Sequence, residues 1–357
     1  MIFDRLYSAY AGYAIPELNK LIFRHSDLLK VLNSIEKKGC FNIACEGVSI
    51  EQRKIFRLTW GKGPFRVLLW SQMHGNEATA TRALCDFFVF LSDNTGPLQD
   101  IRNTLYENFT LEFLPMLNPD GAEVWQRENA IGIDINRDAL SLTCPESKIL
   151  NHLKETLHPN LGFNLHDQSP YYSAGISELP ATLTLLAPPT EDKDNITPNR
   201  LVSMRVVNTI RSIAGKQIGK RIARWRSDFE PRAFGEQFQI SGIPVVLIEA
   251  GGYPEDRDRN MVRQLIFSLI PATLIKMLSD NETDAESIIN SYENIPINRE
   301  GGMFDKIERN VKIQKEGLDF ITDIGYRYME TIDKNGAFSR ELVRDTTGDL
   351  NGFGSYG

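Results

Sequence analysis

The sequence predicts an α/β protein: a sheet covered by helices on both faces, followed by a small β-rich appendage. Three observations predict it. Short apolar runs that end in polar, ionisable or glycine-rich residues recur four times in the first 250 residues. Stretches with apolar residues at helical spacing alternate with them, as layered α/β folds require. Beyond about residue 295 the pattern changes to alternation broken by turn dipeptides, as in Ile324, Tyr326 and Tyr328 against Gly325, Arg327 and Met329.

Residues 1–38 read as helical, with Ala14 to Val31 carrying the apolar spacing and Glu36-Lys37-Lys38-Gly39 ending it. Residues 41–60 alternate like strands and turn at Gly61-Lys62-Gly63-Pro64. Phe65 to Trp70 is nearly all apolar, as expected of a strand buried on both faces. It runs into Ser71-Gln72-Met73-His74-Gly75-Asn76-Glu77, and Ala78 to Leu91 reads as helix. Thr110 to Leu117 is a strand broken by an expected turn, Asn118-Pro119-Asp120-Gly121. Leu161 to Leu165 ends at His166, and Ile243 to Ile248 ends at Glu249. Asn199 to Ile213 and Arg259 to Leu278 read as covering helices. A polar, acidic break at Ser279 to Asp284 divides the chain into 1–285 and 286–357, the second segment turning at Gly301-Gly302, Lys315-Glu316-Gly317 and Asn335-Gly336.

Composition narrows the function classes. The 357 residues are 41% hydrophobic and 24% charged, which excludes disorder and collagen. A net charge of −7 disfavours nucleic acid and anionic membrane as partners. No run approaches the ~20 apolar residues of a membrane span. The N-terminal Met1-Ile2-Phe3-Asp4-Arg5 lacks a secretory pattern. Cys40, Cys45, Cys85 and Cys144 form no C-x-x-C pair and read as reduced thiols of a cytoplasmic protein.

The chemistry gathers at the strand ends, where open α/β sheets build sites. His74 and Glu77, three apart beside a conformationally free Gly75, offer an imidazole nitrogen and a carboxylate oxygen, both zinc donors. His166, at another strand end, is the candidate third ligand; His25, His152 and His158 read as surface residues. Two histidines and a glutamate leave a fourth zinc position for water. Glu249 is the candidate base that takes the water's proton and passes it to a leaving amine. The Arg137 guanidinium can hold a carboxylate through two parallel hydrogen bonds, with Asn136 adding an amide donor. Arg127 is a candidate donor to the developing oxyanion.

These motifs resemble the zinc metallocarboxypeptidases typified by carboxypeptidase A. The resemblance rests on His74-Gly75-Asn76-Glu77, Asn118-Pro119-Asp120-Gly121, Gly132 to Arg137, His166 and Ile248-Glu249, in the family's order across about residues 65–252. It implies a three-layer α/β/α sandwich around a mixed, twisted sheet, one zinc per chain, and hydrolysis of a C-terminal peptide bond. By the same carry-over His74, Glu77 and His166 are the zinc ligands, Asn136 and Arg137 the clamp on the terminal carboxylate, Glu249 the base, and Arg127 the group polarising the scissile carbonyl. The chain departs from the family in three places. Asp138 follows Arg137, Asp167 replaces a serine after the third ligand, and Arg224 to Phe229 contains no counterpart of the family's mobile tyrosine. Residues 170–235 match nothing in the family and are expected to form the specificity wall. A related class, the zinc deacylases of the aspartoacylase and succinylglutamate desuccinylase type, resembles the chain in His-Gly-Asn-Glu, in Asn-Arg and in a C-terminal β appendage. The expected substrate is therefore a peptide or, alternatively, an N-acyl amino acid, in either case with a free carboxylate.

Overall fold

The structure is a computed structural model that describes residues 1–191, 195–280, 284–333 and 336–357. The expected break at Ser279 to Asp284 and the Asn335-Gly336 turn lie partly outside the described residues.

The chain opens with two helices, α1 (Ile2–Ala9) and α2 (His25–Glu36). The continuous helix expected over Ala14 to Val31 does not form. Pro16 opens a single 3₁₀ turn, and the Asp27 carboxylate caps the Arg24 N–H at 3.2 Å, which starts a new helix there. His25, expected at the surface, is buried at the head of α2, where its Nε2 lies 2.9 Å from the Lys54 carbonyl oxygen.

The sheet strands and their helices follow: β1 (Asn42–Val48), β2 (Lys54–Trp60), β3 (Phe65–Ser71), α3 (Thr79–Leu91), α4 (Gln99–Asn108), β4 (Phe109–Leu114) and α5 (Pro119–Val124). Then come α6 (Pro145–Leu157), β5 (Leu161–Asp167), β6 (Leu183–Leu186), α7 (Pro198–Ile218), β7 (Ile222–Arg224), α8 (Phe234–Ile240), β8 (Val245–Ala250), α9 (Asn260–Met277) and α10 (Ala285–Glu293). The Asn118-Pro119-Asp120-Gly121 segment is the start of α5 rather than a free turn. Asn118 accepts the Gly121 N–H at 2.9 Å as an N-cap, and Pro119 takes the first helical position, where a missing N–H costs nothing.

The eight strands form one sheet in the order β1-β2-β4-β3-β5-β8-β6-β7. The central four, β4, β3, β5 and β8, are parallel; β2 and β6 flank them antiparallel, β1 pairs antiparallel with β2, and β7 pairs parallel with β6. Strand β3 shows why its sequence is nearly all apolar. Val67 and Leu69 face a core built with α3, α7 and α9, while Leu68 and Trp70 face a second core built with α6 and α8. This is the expected three-layer sandwich around a mixed sheet. Because β3, β5 and β8 run the same way, their C-terminal ends share one rim.

The last segment adds β9 (Met303–Phe304), β10 (Lys306–Lys315), β11 (Leu318–Ile332), β12 (Phe338–Gly348) and β13 (Gly354–Ser355). Strands β10, β11 and β12 form an antiparallel sheet, the β-rich appendage read from the sequence. The β10–β11 hairpin turns at Glu316 and Gly317, both at positive φ (53° and 81°), the geometry that matches the strands' own twist. The appendage leans on the main body near the rim. Phe338 packs edge-on against Trp125, with ring centroids 5.5 Å apart. The Tyr171 hydroxyl donates to Asp305 at 2.6 Å and accepts the Tyr328 N–H at 3.0 Å. Among the described residues, no helix is long and apolar enough to cross a membrane.

Candidate active site

The rim opens into a cavity of about 850 Å³ lined by His74, Glu77, Arg127, Asn136, Arg137, His166 and Glu249, all seven residues singled out from the sequence. Each arrives by a local device. After β3 the backbone at Gln72 takes a left-handed conformation (φ 47°), held by its side-chain amide donating to the carbonyls of Phe23 (3.0 Å) and Gly75 (2.8 Å). A residue kept in that region by its surroundings is strain stored beside a site. It swings His74 off the sheet. Gly75 serves close packing rather than backbone freedom: a Cβ there would lie 2.0 Å from the Gly121 carbonyl carbon. Register places the other two strand ends side by side, His166 directly opposite Glu249.

The three candidate ligands converge. His74 Nδ1 lies 2.8 Å from Glu77 Oε1, His166 Nδ1 lies 2.8 Å from Glu77 Oε2, and the two Nδ1 atoms are 3.2 Å apart. One donor atom from each residue falls within 4.8 Å of the others. The donor set fits zinc: two imidazoles and one carboxylate, with room for a fourth position. A second observation supports the fit. His74 Nε2 is 3.1 Å from Asp134 Oδ1, so the remote ring nitrogen is engaged by a carboxylate and Nδ1 is left for a metal, the usual support of a metal-bound histidine.

Charge in this cluster is balanced internally. Burial opposes protonation of His74, but the charge of Glu77 and hydrogen bonds to Asp134 and Glu77 hold it up at about 9. For Glu77, burial favours the neutral acid, yet the two imidazoles outweigh it and keep the carboxylate far below its ordinary range. Burial pulls His166 down. Glu249 is pushed up to about 8, first by burial and then by the charge of Glu77. No hydrogen bond or ion pair ties the Glu249 carboxylate to a described residue, so it is not a cap of the turn that follows it.

The arginines are already occupied. Arg127 donates through Nε and Nη2 to Asp134 (3.1 and 3.0 Å) and through Nη1 to Glu77 (3.2 Å). Arg137 lies 3.4 Å from Glu230, and Glu230 is also gripped by Arg232 at 2.7 Å. Asn136 accepts the Phe234 N–H at 3.0 Å through Oδ1, which leaves its Nδ2 for a ligand. The two departures near the site are structural. Asp138 accepts the N–H groups of Thr143 and Cys144 (3.0 and 2.9 Å). Asp167 accepts the Thr79 N–H (3.1 Å) and hydroxyl (2.7 Å), pinning the start of α3 to the end of β5.

Several residues here carry no sequence-based expectation: Asp134 behind His74, Arg259, and the cavity-lining Asn164, Tyr172 and Glu236. Arg259 donates to the carbonyls of Ala250 (2.7 Å) and Gln168 (2.8 Å), fastening the ends of β8 and β5 together. Asn164 was findable, since it stands two residues before His166 on the same strand face. Residues 170–235 do supply much of the wall, including Tyr172, whose ring stacks edge-on against Trp225 at 5.1 Å.

Comparison with known proteins bears out the resemblance. A family model described as zinc carboxypeptidase matches residues 36–158. The catalytic chain of human carboxypeptidase N is 26% identical over 136 residues, 32% of this chain and 30% of that protein. A probable carboxypeptidase 2 of Arthroderma benhamiae is 24% identical over 186 residues, 52% of this chain and 33% of that one. The chain thus spans a third or less of the length of the curated relatives it matches. Among solved structures, a metallo-carboxypeptidase from Burkholderia cenocepacia superposes with a TM-score of 0.60 at 14% identity, covering 72% of this chain and 70% of that one. Thrombin-activatable fibrinolysis inhibitor gives 0.56 at 12% identity, covering 82% and 80%. These two likenesses show the fold.

Two outcomes follow. Asp134→Ala is expected to lower zinc affinity about 10–100-fold in competition with a chelator; unchanged affinity would detach Asp134 from the metal site. Glu236 is raised to about 7 by burial. A carboxyl with a raised folded pKa is favoured neutral in the fold, so it withdraws stability as pH rises from about 4.5 to about 7. Glu236→Gln is therefore expected to gain stability over the parent at pH 8 and little at pH 4.5 in urea titrations. An equal difference at both pH values would contradict this.

Proposed function

We propose that the chain is a zinc-dependent metallocarboxypeptidase that hydrolyses the C-terminal amide bond of a peptide. The observation that carries the reading is one cavity holding a His–Glu–His donor cluster, a carboxylate with no partner among the described residues, and an Asn–Arg pair. One zinc, held by His74, Glu77 and His166, supplies Lewis acidity and makes water a competent nucleophile near neutral pH.

The chain's own residues do the rest. Arg137 binds the substrate's terminal carboxylate, displacing Glu230, which keeps Arg232 as its counter-charge. The Asn136 amide adds a donor beside it, its orientation set by the Phe234 N–H on its other end. Glu249 accepts the proton of the attacking water and delivers it to the leaving amine. Burial raises its pKa, which gives it the proton affinity a base needs, and the carboxylic acid it becomes can still protonate the more basic amine. Arg127 donates to the oxygen on which negative charge develops, with Asp134 holding its guanidinium in plane. The four free thiols support a reducing, cytoplasmic setting.

The deacylase reading draws support from the appendage, because Glu330 on β11 lines the same cavity. Release of C-terminal residues from a peptide library, set against hydrolysis of N-acyl amino acids, separates the two readings. Release from peptides is the expected result; turnover of N-acyl amino acids alone would replace the peptidase reading.

Glu249→Gln is expected to keep the fold and bound zinc while kcat falls by about 10²–10⁴-fold; a parental rate would remove Glu249 from the mechanism. Arg137→Ala is expected to raise KM and lower kcat/KM most for peptides with a free terminal carboxylate. An equal loss on carboxyl-amidated peptides would make Arg137 structural.

A further inference from the structure

Residues paired across neighbouring strands put their side chains on the same face of a sheet, and one such row crosses the candidate site. His166 on β5 pairs with Glu249 on β8, Glu249 with Thr184 on β6, and Thr184 with Ala223 on β7. The residues on either side of the row settle which way it faces. Leu165, Ile248, Ala250, Leu183, Leu185 and Ile222 all enter the core built with α3, α7 and α9. By strand alternation the row turns to the opposite face, where His166 and Glu249 line the cavity.

Thr184 is 0% exposed, and its hydroxyl has no hydrogen-bond partner among the described residues. Two residues earlier on the same face, Thr182 shows the ordinary arrangement: equally buried, it donates to the Gly252 carbonyl at 2.8 Å. A buried hydroxyl left unpaired is costly, and a valine would fill the same space without that cost. The neighbours of Thr184 in the row are Ala223, which has no polar side-chain atom, and Glu249. The Glu249 carboxylate itself forms no hydrogen bond or ion pair with a described residue. An unpaired donor and an unpaired acceptor therefore stand opposite each other on adjacent strands. Opposite residues of an antiparallel pair hold their Cβ atoms about 4.5–5.5 Å apart, within reach of a bent glutamate side chain. Thr184 is not part of the cavity lining, so its hydroxyl acts through Glu249 and not on a substrate.

We infer that Thr184 is a positioning residue for the general base: its hydroxyl donates to one oxygen of the Glu249 carboxylate and leaves the other turned toward the attacking water. The inference rests on the reading of Glu249 as that base. The residue type suits the task. A β-branched side chain is stiff about χ1, so the hydroxyl is a fixed point against which a longer, freer glutamate can be held. A hydroxyl brings a donor without a charge, so it orients the carboxylate without the grip of an arginine, and the carboxylate can still take up and return a proton. The donor comes from the sheet, which leaves the cavity side of Glu249 open to water.

The test uses the zinc-loaded full chain and a peptide substrate. Thr184→Val, an isosteric change, is expected to lower kcat by about tenfold or more while KM and zinc content hold. Thr184→Ser, which restores the hydroxyl, is expected to return kcat to within about threefold of the parent. In the Glu249→Gln background, Thr184→Val is expected to add little further loss, because the two residues act as one unit. A threonine that served packing alone would change stability and leave kcat in place. A second readout needs no turnover: in a crystal structure of the zinc-loaded parent, Thr184 Oγ1 is expected about 2.5–3.0 Å from a Glu249 carboxylate oxygen. A parental kcat in Thr184→Val would overturn the inference, as would Thr184→Ser no better than Thr184→Val, or a hydroxyl bonded elsewhere in the crystal. If the crystal shows the bond but Glu249→Gln keeps the parental rate, the contact stands and the reading of Glu249 as base fails. If Glu249→Gln loses activity and Thr184→Val does not, the base stands and Thr184 is removed from its positioning.

Discussion

Glu77 is a buried carboxylate gripped between two imidazoles, and the rest of the site is arranged around that cluster. Its two oxygens each lie 2.8 Å from a histidine Nδ1. Three electron-rich donors within 4.8 Å, largely buried, favour a proton or a cation among them. The raised pKa of His74 shows that positive charge is favoured within this cluster, the charge a divalent metal supplies. The fold meets the geometric demand with a simple device. Parallel strands β3 and β5 end on one rim, Gln72 bends one ligand loop outward, and the Thr79–Asp167 bonds lock that loop's helix to the neighbouring strand.

The surrounding charges follow from the same constraint. Asp134 engages both His74 and Arg127, so a single carboxylate orients a candidate ligand and a candidate oxyanion donor together. Glu249 stands opposite His166 in the sheet but has no hydrogen-bond or ion-pair partner among the described residues, and burial plus the charge of Glu77 raise its pKa. Metal binding would relieve part of that repulsion by engaging Glu77. Arg137 is steered differently. Glu230 holds it in a solvent-accessible ion pair, weak enough for a better-placed carboxylate to replace.

The parts of this account legible in the sequence are those fixed by local pattern. Strand β3 is readable because burial on both faces leaves only apolar residues, and the site follows from what stands at the ends of β3, β5 and β8. Where local pattern competes with nonlocal contacts, the reading fails. Ala14 to Val31 has helical spacing, but Pro16 and the Asp27 cap break it. Gly75 looks like a source of freedom, and its true role, contact with Gly121, depends on how α5 docks. His25 is polar in sequence yet buried, because its partner is a backbone carbonyl of β2. Asp134 and Glu236 were missed for the same reason: each matters through a neighbour that only the folded chain supplies.

The account stands or falls on a metal among His74, Glu77 and His166. The direct measurement is zinc content per chain after dialysis against trace zinc, for the parent chain and for His74→Ala, Glu77→Ala and His166→Ala. The account predicts one zinc per parent chain and loss of most of it in each variant. A parent chain that retains none, or variants that retain as much as the parent, would contradict it.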